Sequence, residues 1–500
     1  MIVTTGNILL IGSTLLFVSL IIGRTGYKLG IPVLLLFLLV GMIFGSDGIG
    51  IQFHNASEAQ FIGTLSLCII LFAGGMDTKI NDIRPIVSQG VILATLGVLL
   101  TTFITGYFIY WLIGNLYPDT AAPLVGCLLL AAVMSSTDSA SVFNILRSKG
   151  LNLKQNMRPL LELESGSNDP MAYMLTILLL QIIQSGDMSW GQILLSFFMQ
   201  FSIGILLGYV LGRAAVYIIN HVCLMNNSLY QVILLTFLFF TFSITDLLNG
   251  NGYLAVYLAG LVIGNHRIVY KKNIANFFDG LAWLFQIIMF LSLGLLVNPK
   301  DLWGISHIGL LIGLFLIFIA RPLAVFLCLL PFRKMTLAGR IFVSWIGLRG
   351  AVPIIFATYP LLADVPGASQ IFNIVFFITI LSLLIQGTTV SKAARILGLA
   401  HPAENKTQEF DMELSEDIKS IVAEASVMPD LLTDGDRLQN LHLPKNTLVI
   451  MIKRYDNYFV PNGNTRLLPG DKLLLLSDNE EELRNTLAHL GIEEYTLRRN

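Results

Sequence analysis

The chain is short of charge. Only 13% of its 500 residues are Asp, Glu, Lys or Arg, 55% are hydrophobic, and the mean hydropathy is +0.73. Soluble domains carry about 25% charged residues, so most of the length is excluded from being an ordinary water-soluble fold. Cysteine is scarce as well. Cys68, Cys127, Cys223 and Cys328 lie in or beside apolar runs with no C-x-x-C spacing. That argues against a disulfide framework or a thiolate metal site and for single buried thiols. There is no H-E-x-x-H pair, no phosphate-cradling loop and no G-x-S-x-G elbow, so nothing points to an enzyme or to a resident cofactor. No Lys or Arg precedes the first apolar run, Ile8–Gly23, and no cleavage site follows it. This reads as a retained membrane helix and not a signal peptide.

The shortage of charge is uneven. Residues 1–400 hold 14 acids and 20 bases, a net +6; residues 401–500 hold 18 acids and 11 bases, a net −7. The break sets a domain junction near residue 400, with a membrane domain over 1–400 and a soluble one over 401–500.

Apolar runs near the ~20 residues that cross ~30 Å of hydrocarbon recur along the first part. They begin near Ile8, Ile31, Phe61, Ile86, Ala121, Pro159, Gly191, Tyr230, Tyr253, Leu281, Ile305, Ile341 and Ser369, which makes about thirteen transmembrane helices. Every second loop gathers the bases, from Arg24 and Lys28 to Arg333, Lys334 and Arg340, while the intervening loops hold only Lys300. By the positive-inside rule the N-terminus is outside and the C-terminal domain in the cytosol of a bacterial cell membrane. The halves also match each other. Gly41 and Gly45 correspond to Gly260 and Gly264, 219 residues on, and Ile69–Phe72 to Ile287–Phe290. Two inverted six-helix repeats joined by one helix are a transporter plan with its site at the midplane. The fifth segment is interrupted by Ser135–Ser141 and the twelfth by Gly347–Pro353. Unwound backbone at that depth lines a cavity or lies buried in protein. Asp138 and Arg349 would neutralise the half-helix dipoles.

The sixth segment opens with Leu161-Glu162-Leu163-Glu164-Ser165-Gly166-Ser167-Asn168-Asp169-Pro170. A bare charge at the bilayer centre costs about 2.5–3.5 kcal/mol on insertion scales, so such acids are paired, hydrated or used. Ser165 and Asp169 are four apart on one helix face, Glu164 and Asn168 on an adjacent one. The reading is a carboxylate, Asp169, near oxygens from Ser165 and the Thr137–Asp138 break. Desolvation favours the neutral form of a carboxyl group, so such a group can hold either a proton or a hard alkali cation. Competition between the two couples their fluxes. Glu164 and Arg349 are expected to form a buried ion pair, one from each repeat. Arg321 is a third intramembrane charge, with Glu162 or helix carbonyls as its candidate partners. Gly204, Gly208 and Gly212 read as a close helix-packing stripe, with a homodimer seam as the alternative.

The ESGSNDP string, the Thr137-Asp138 break and the GLRGAVP string resemble the sodium/proton exchanger branch of the cation/proton antiporter superfamily over most of residues 1–400. The resemblance implies that Asp169 takes cation and proton alternately. It also implies that Asp138, Ser165 and the Thr137 carbonyl help to hold the ion, and that Glu164 pairs with Arg349. It implies that Asn168 beside Asp169 goes with electroneutral one-for-one exchange, and that the site moves by an elevator-like shift of a core domain.

In the last hundred residues, Asn446–Lys453, Tyr458–Val460 and Lys472–Leu476 read as strands and Asp456, Asn462-Gly463 and Gly470 as turns. A helix capped by Ser477 or Asp478 ends at Gly491. VPNGNT and LLPGDKL make this α+β module similar to the RCK C-terminal (TrkA-C) regulators of potassium channels and transporters. Such modules dimerise and bind small molecules, nucleotides among them. The pairing of domains resembles potassium/proton antiporters of the cell-volume-regulation type.

The expectation is thus a polytopic α-helical membrane protein that exchanges a monovalent cation, K+ before Na+, for H+. It would be set in lipid as a homodimer, with no nucleic-acid partner. The alternative is an RCK-regulated cation channel. The missing TVGYG-like filter argues against a channel, and the repeat with a titratable site favours alternating access.

Overall fold

The computed structural model describes residues 5–402, apart from 30–31, 52–54, 117–122 and 187–188. Beyond these it describes 421–427, 436–477 with short gaps, 483, 485 and 495–498. The chain divides into two compact units, residues 1–403 and 404–500.

The first unit is helical. In chain order its helices are α1 (Thr5–Leu29), α2 (Val33–Phe44), α3 (Ala56–Asp77), α4 (Ile80–Leu116), α5 (Leu124–Val133), α6 (Ser139–Ser148), α7 (Met157–Ser185), α8 (Trp190–His221) and α9 (Leu229–Leu247). Then follow α10 (Gly252–Gly264), α11 (Lys271–Leu296), α12 (Pro299–Leu329), α13 (Leu337–Trp345), α14 (Ala351–Leu362) and α15 (Ala368–Ile396). Seven of them, α3, α4, α8, α9, α11, α12 and α15, are long and apolar enough to cross a membrane. α7 is as long but carries Arg158, Glu162, Glu164 and Asp169. The fifth and twelfth expected segments are each a pair of half-helices, α5/α6 and α13/α14, with non-helical backbone between them.

Glycines bring helices into backbone contact. A Cβ on Gly41 would lie 2.5 Å from the Leu291 carbonyl oxygen, and one on Gly260 2.4 Å from that of Phe72. Gly75 meets the Tyr257 carbonyl and Gly294 that of Leu38, each at 2.4 Å. Gly45 and Gly264 meet those of Leu295 and Met76 at 3.4 and 2.1 Å. Every member of these three pairs of contacts maps onto its counterpart by adding or subtracting 219. So α2 lies on α11 as α10 lies on α3. Gly204, Gly208 and Gly212 of α8 are likewise buried against the backbone of residues 251–259, at 2.9, 2.7 and 3.0 Å. The stripe therefore packs inside this chain and is not a seam to another copy. The opposite face of α8, with Leu194, Phe198, Leu206 and Tyr209, is exposed.

Single π turns interrupt α4 at Leu93–Gly97, α12 at Leu316–Ala320 and α15 at Leu383–Gly387. The loop between α6 and α7 forms a short strand, β1 (Leu151–Leu153), antiparallel to β2 (Ala400–Pro402), with Asn152 opposite His401. Lys154 N–H donates to the Leu399 carbonyl at 2.9 Å and extends the ladder. Thus β2, which lies at the expected junction near residue 400, stays with the first unit.

The second unit has an antiparallel sheet of β3 (Ile421–Ser426), β4 (Thr447–Arg454), β5 (Asn457–Phe459), β6 (Lys472–Ser477) and β7 (Tyr495–Arg498), in the order β5-β4-β6-β3-β7. Ala423, Ala425, Ile452, Leu473 and Leu475 form its core. The Arg454 guanidinium pairs twice with buried Asp471, at 2.8 and 2.7 Å, and this hydrogen bonding raises the arginine above its ordinary range. The inner strand β3 and the edge strand β7 escape the sequence reading. The expected turn at Asp456 and the body of the expected helix, 478–482 and 486–491, lie outside the described residues.

Candidate functional site

The site forms where the two interruptions meet α7. α5 ends at Val133 and α6 begins at Ser139; α13 ends at Trp345 and α14 begins at Ala351. The interruptions hold each other: Asp138 N–H donates to the Leu348 carbonyl at 2.8 Å, and Arg349 Nη1 to the Ser136 carbonyl at 3.0 Å. Asp138 caps α6, accepting from Ser141 N–H at 3.0 Å and from the Ser141 hydroxyl. A carboxylate at a helix N-terminus complements the dipole, as does a guanidinium just past the end of α5. A Cβ on Gly350 would lie 2.4 Å from Asp138 Oδ2, so this approach needs glycine.

α7 supplies the other side. Ser165 Oγ donates to the Thr137 carbonyl at 2.9 Å and accepts from Ser139 N–H at 3.1 Å. Asn168 Nδ2 donates to Thr137 Oγ1, while its buried Oδ1 has no partner among the described residues. Asp169, only 6% exposed, accepts from the Ser136 hydroxyl. Gly166 admits the Tyr257 ring, which would lie 2.4 Å from any Cβ there. Asn251 Nδ2 donates to the Pro170 carbonyl at 2.6 Å and so ties α7 to the start of α10. The structure thus gathers Thr137, Asp138, Ser165, Asn168 and Asp169 around one point of the helix crossing.

Two expectations about charge need correction. Glu164 pairs with Arg321, not Arg349, and both side chains are 2% exposed. Arg321 lies at the π turn of α12, where its stem packs on Gly347 and its guanidinium faces α7. Arg349 points instead across the first interruption, and its backbone N–H donates to Ser382 Oγ at 2.9 Å. Its Nε and Nη2 have no partner among the described residues. Glu162 is not the partner of Arg321. It bonds Arg158 one turn earlier at 2.8 Å on a partly exposed face. Ser136 and Ser141, which touch the two aspartates, were not singled out as site residues. The one hint was their place in the polar string Ser135–Ser141.

An anionic oxygen, hydroxyls and peptide carbonyls at a buried crossing make a donor set for a hard cation. A sequence model described as sodium/hydrogen exchanger, transmembrane, matches residues 13–395. The chain belongs to the sodium/hydrogen exchanger family. A TrkA-C domain follows at residues 422–488. A relative from Alkalimonas amylolytica named K(+)/H(+) antiporter NhaP is 41% identical over 94% of this chain and 81% of its own length. One from Shewanella sp. (strain ANA-3) named K(+)/H(+) antiporter NhaP2 is 38% identical over 96% and 82%. The fold is similar to that of the sodium proton antiporter MjNhaP1 from Methanocaldococcus jannaschii, with a TM-score of 0.65 and 24% identity over 75% of this chain and 97% of that one. Exchangers of this family are cation/proton antiporters. The chain is accordingly a multi-pass membrane transporter and not an enzyme.

Proposed function

We propose that this exchanger moves K+ in preference to Na+ against H+, one for one, with Asp169 as the group that takes them in turn. The observation that carries the reading is the setting of Asp169: a buried carboxyl group bonded by the Ser136 hydroxyl, at the crossing of two broken helices where the Ser165 hydroxyl meets the Thr137 carbonyl. A cation there would be held by Asp169, Asp138, Ser165 and the Thr137 carbonyl. A proton on Asp169 removes the charge that holds the cation, so each excludes the other. The preference for K+ rests on the names of the two relatives above. Asn168, uncharged and turned toward Thr137, leaves Asp169 as the titrating partner of α7 at this point and supports one proton per cation.

Further parts of the reading follow. The 219-residue relation among the close contacts supports two repeats of opposite orientation and thirteen crossings. The loop bases favour an outside N-terminus and a cytosolic C-terminus in a bacterial cell membrane. The site reaches the two sides by an elevator-like shift. The exposed apolar face of α8 suits lipid or the second copy of a homodimer. The TrkA-C unit regulates exchange by taking a small molecule, a nucleotide being one candidate class. The test is exchange in everted vesicles followed with a pH-sensitive dye. Asp169→Asn should abolish K+-driven dequenching at wild-type protein levels; exchange at the wild-type rate would sink the assignment.

A further inference from the structure

Several hydroxyls crowd the first interruption, and most are turned away from the exchanging carboxyl. Ser135 Oγ bonds back to the Ala132 carbonyl at 2.6 Å. Thr137 Oγ1 accepts from Asn168, Ser141 Oγ donates to Asp138, and Ser165 Oγ donates to the Thr137 carbonyl. Among the described residues, the hydroxyl placed on Asp169 is that of Ser136. Ser136 is 1% exposed, and its carbonyl is held by the Arg349 guanidinium from the other interruption. Its position is therefore set from both broken helices at once.

We propose that Ser136 is a specificity-determining ligand of the exchange site, its Oγ joining Asp169 in holding the transported monovalent cation and so setting how well that cation competes with the proton. The proposal rests on the reading of Asp169 as the exchanging group. A serine hydroxyl has one donor and two acceptor lone pairs. Facing an empty, ionised Asp169 it donates. With a cation on Asp169 it turns a lone pair to the ion. With Asp169 protonated it accepts a hydrogen bond from the carboxyl O–H. One side chain thus satisfies the buried carboxyl in each state of the cycle. Without it, Asp169 meets cation and proton with one oxygen fewer. The loss weighs more on the cation, whose binding relies on the number of oxygens around it. Interactions with charged groups are the stronger class, and losing one costs roughly ten-fold or more in affinity.

The experiment is K+/H+ exchange by purified full-length protein in proteoliposomes, titrated with K+ at several pH values. Ser136→Ala should raise the KM for K+ roughly ten-fold, leave the maximal rate within about two-fold, and steepen the loss of K+ affinity on acidification. Ser136→Thr, which keeps the hydroxyl, should restore the KM to within about two-fold of wild type. A residue that only shapes the interruption would lower the maximal rate with little change in KM. That result, or a Ser136→Thr protein as impaired as Ser136→Ala, overturns the proposal. Asp169→Asn run alongside separates two failures. Retained exchange there removes the reading of Asp169 and this proposal with it. Lost exchange there, with an unaltered KM in Ser136→Ala, removes only this proposal.

Discussion

Removing Glu164 should harm the protein more than removing the arginine it is paired with. Glu164 and Arg321 are buried to 2% exposure, and Arg349, 1% exposed, lies within electrostatic reach of both. Among the described residues the pocket therefore holds two guanidinium groups and one carboxylate. Stranding a buried charge by deleting its partner costs about 3–5 kcal/mol. Glu164→Gln strands two cations and belongs at or beyond the upper end of that range. Arg321→Met leaves Glu164 with Arg349, whose Nε and Nη2 have no partner among the described residues and can turn toward it. Its cost should be nearer that of one lost charged hydrogen bond, about 1.5–3 kcal/mol. The double variant Glu164→Gln/Arg321→Met removes one charge of each sign and should recover much of what Glu164→Gln loses. Equilibrium unfolding of the purified protein in mixed micelles with a rising SDS fraction reads all three. If Arg321→Met destabilises as much as Glu164→Gln, or the double variant is worse than both, the account of the pocket is wrong.

The glycine contacts make a graded prediction. Gly41→Ala and Gly260→Ala, whose Cβ atoms would sit 2.5 and 2.4 Å from carbonyl oxygens, should cost alike, about 1–3 kcal/mol each. Gly264→Ala, at 2.1 Å, should be the worst and Gly45→Ala, at 3.4 Å, the mildest, in the same unfolding assay. One-for-one exchange moves no net charge, whereas a cycle with one net charge would feel about 2.3 kcal/mol per 100 mV. Clamping the potential across proteoliposomes with valinomycin is unsuitable where K+ is the substrate, so a protonophore-free clamp with a lipophilic ion should leave the rate nearly unchanged; steep voltage dependence would contradict the role given to Asn168.

The broken helices were legible because polar and glycine-rich strings stand out against apolar helix on both sides. Ser135–Ser141 and Gly347–Pro353 mark them without any knowledge of the fold. The partner of Glu164 was not legible. Arg349 and Arg321 are both basic, distant in sequence and set in apolar segments. The choice depends on helix rotation, and on a π turn at 316–320 that leaves no clear mark in the residue pattern. Ser136 was hidden for a similar reason: it is one hydroxyl in a run of them, and only the path of the unwound backbone says which one faces Asp169. The packing of Gly204, Gly208 and Gly212 was half legible. Their spacing announces a close approach, but the same spacing serves an internal neighbour and a second copy equally well.

The short ladder between β1 and β2 has a mechanical consequence. Leu151–Leu153 lies between α6, whose first turn is capped by Asp138, and α7, which carries Asp169. The backbone that leaves α15 is stitched to this segment at Ala400–Pro402 and by the Lys154–Leu399 bond. A tug on the chain at its exit from the first unit therefore does not dissipate in a slack tether. It falls on a rein only a few residues long, knotted midway between the two helices that hold the two aspartates.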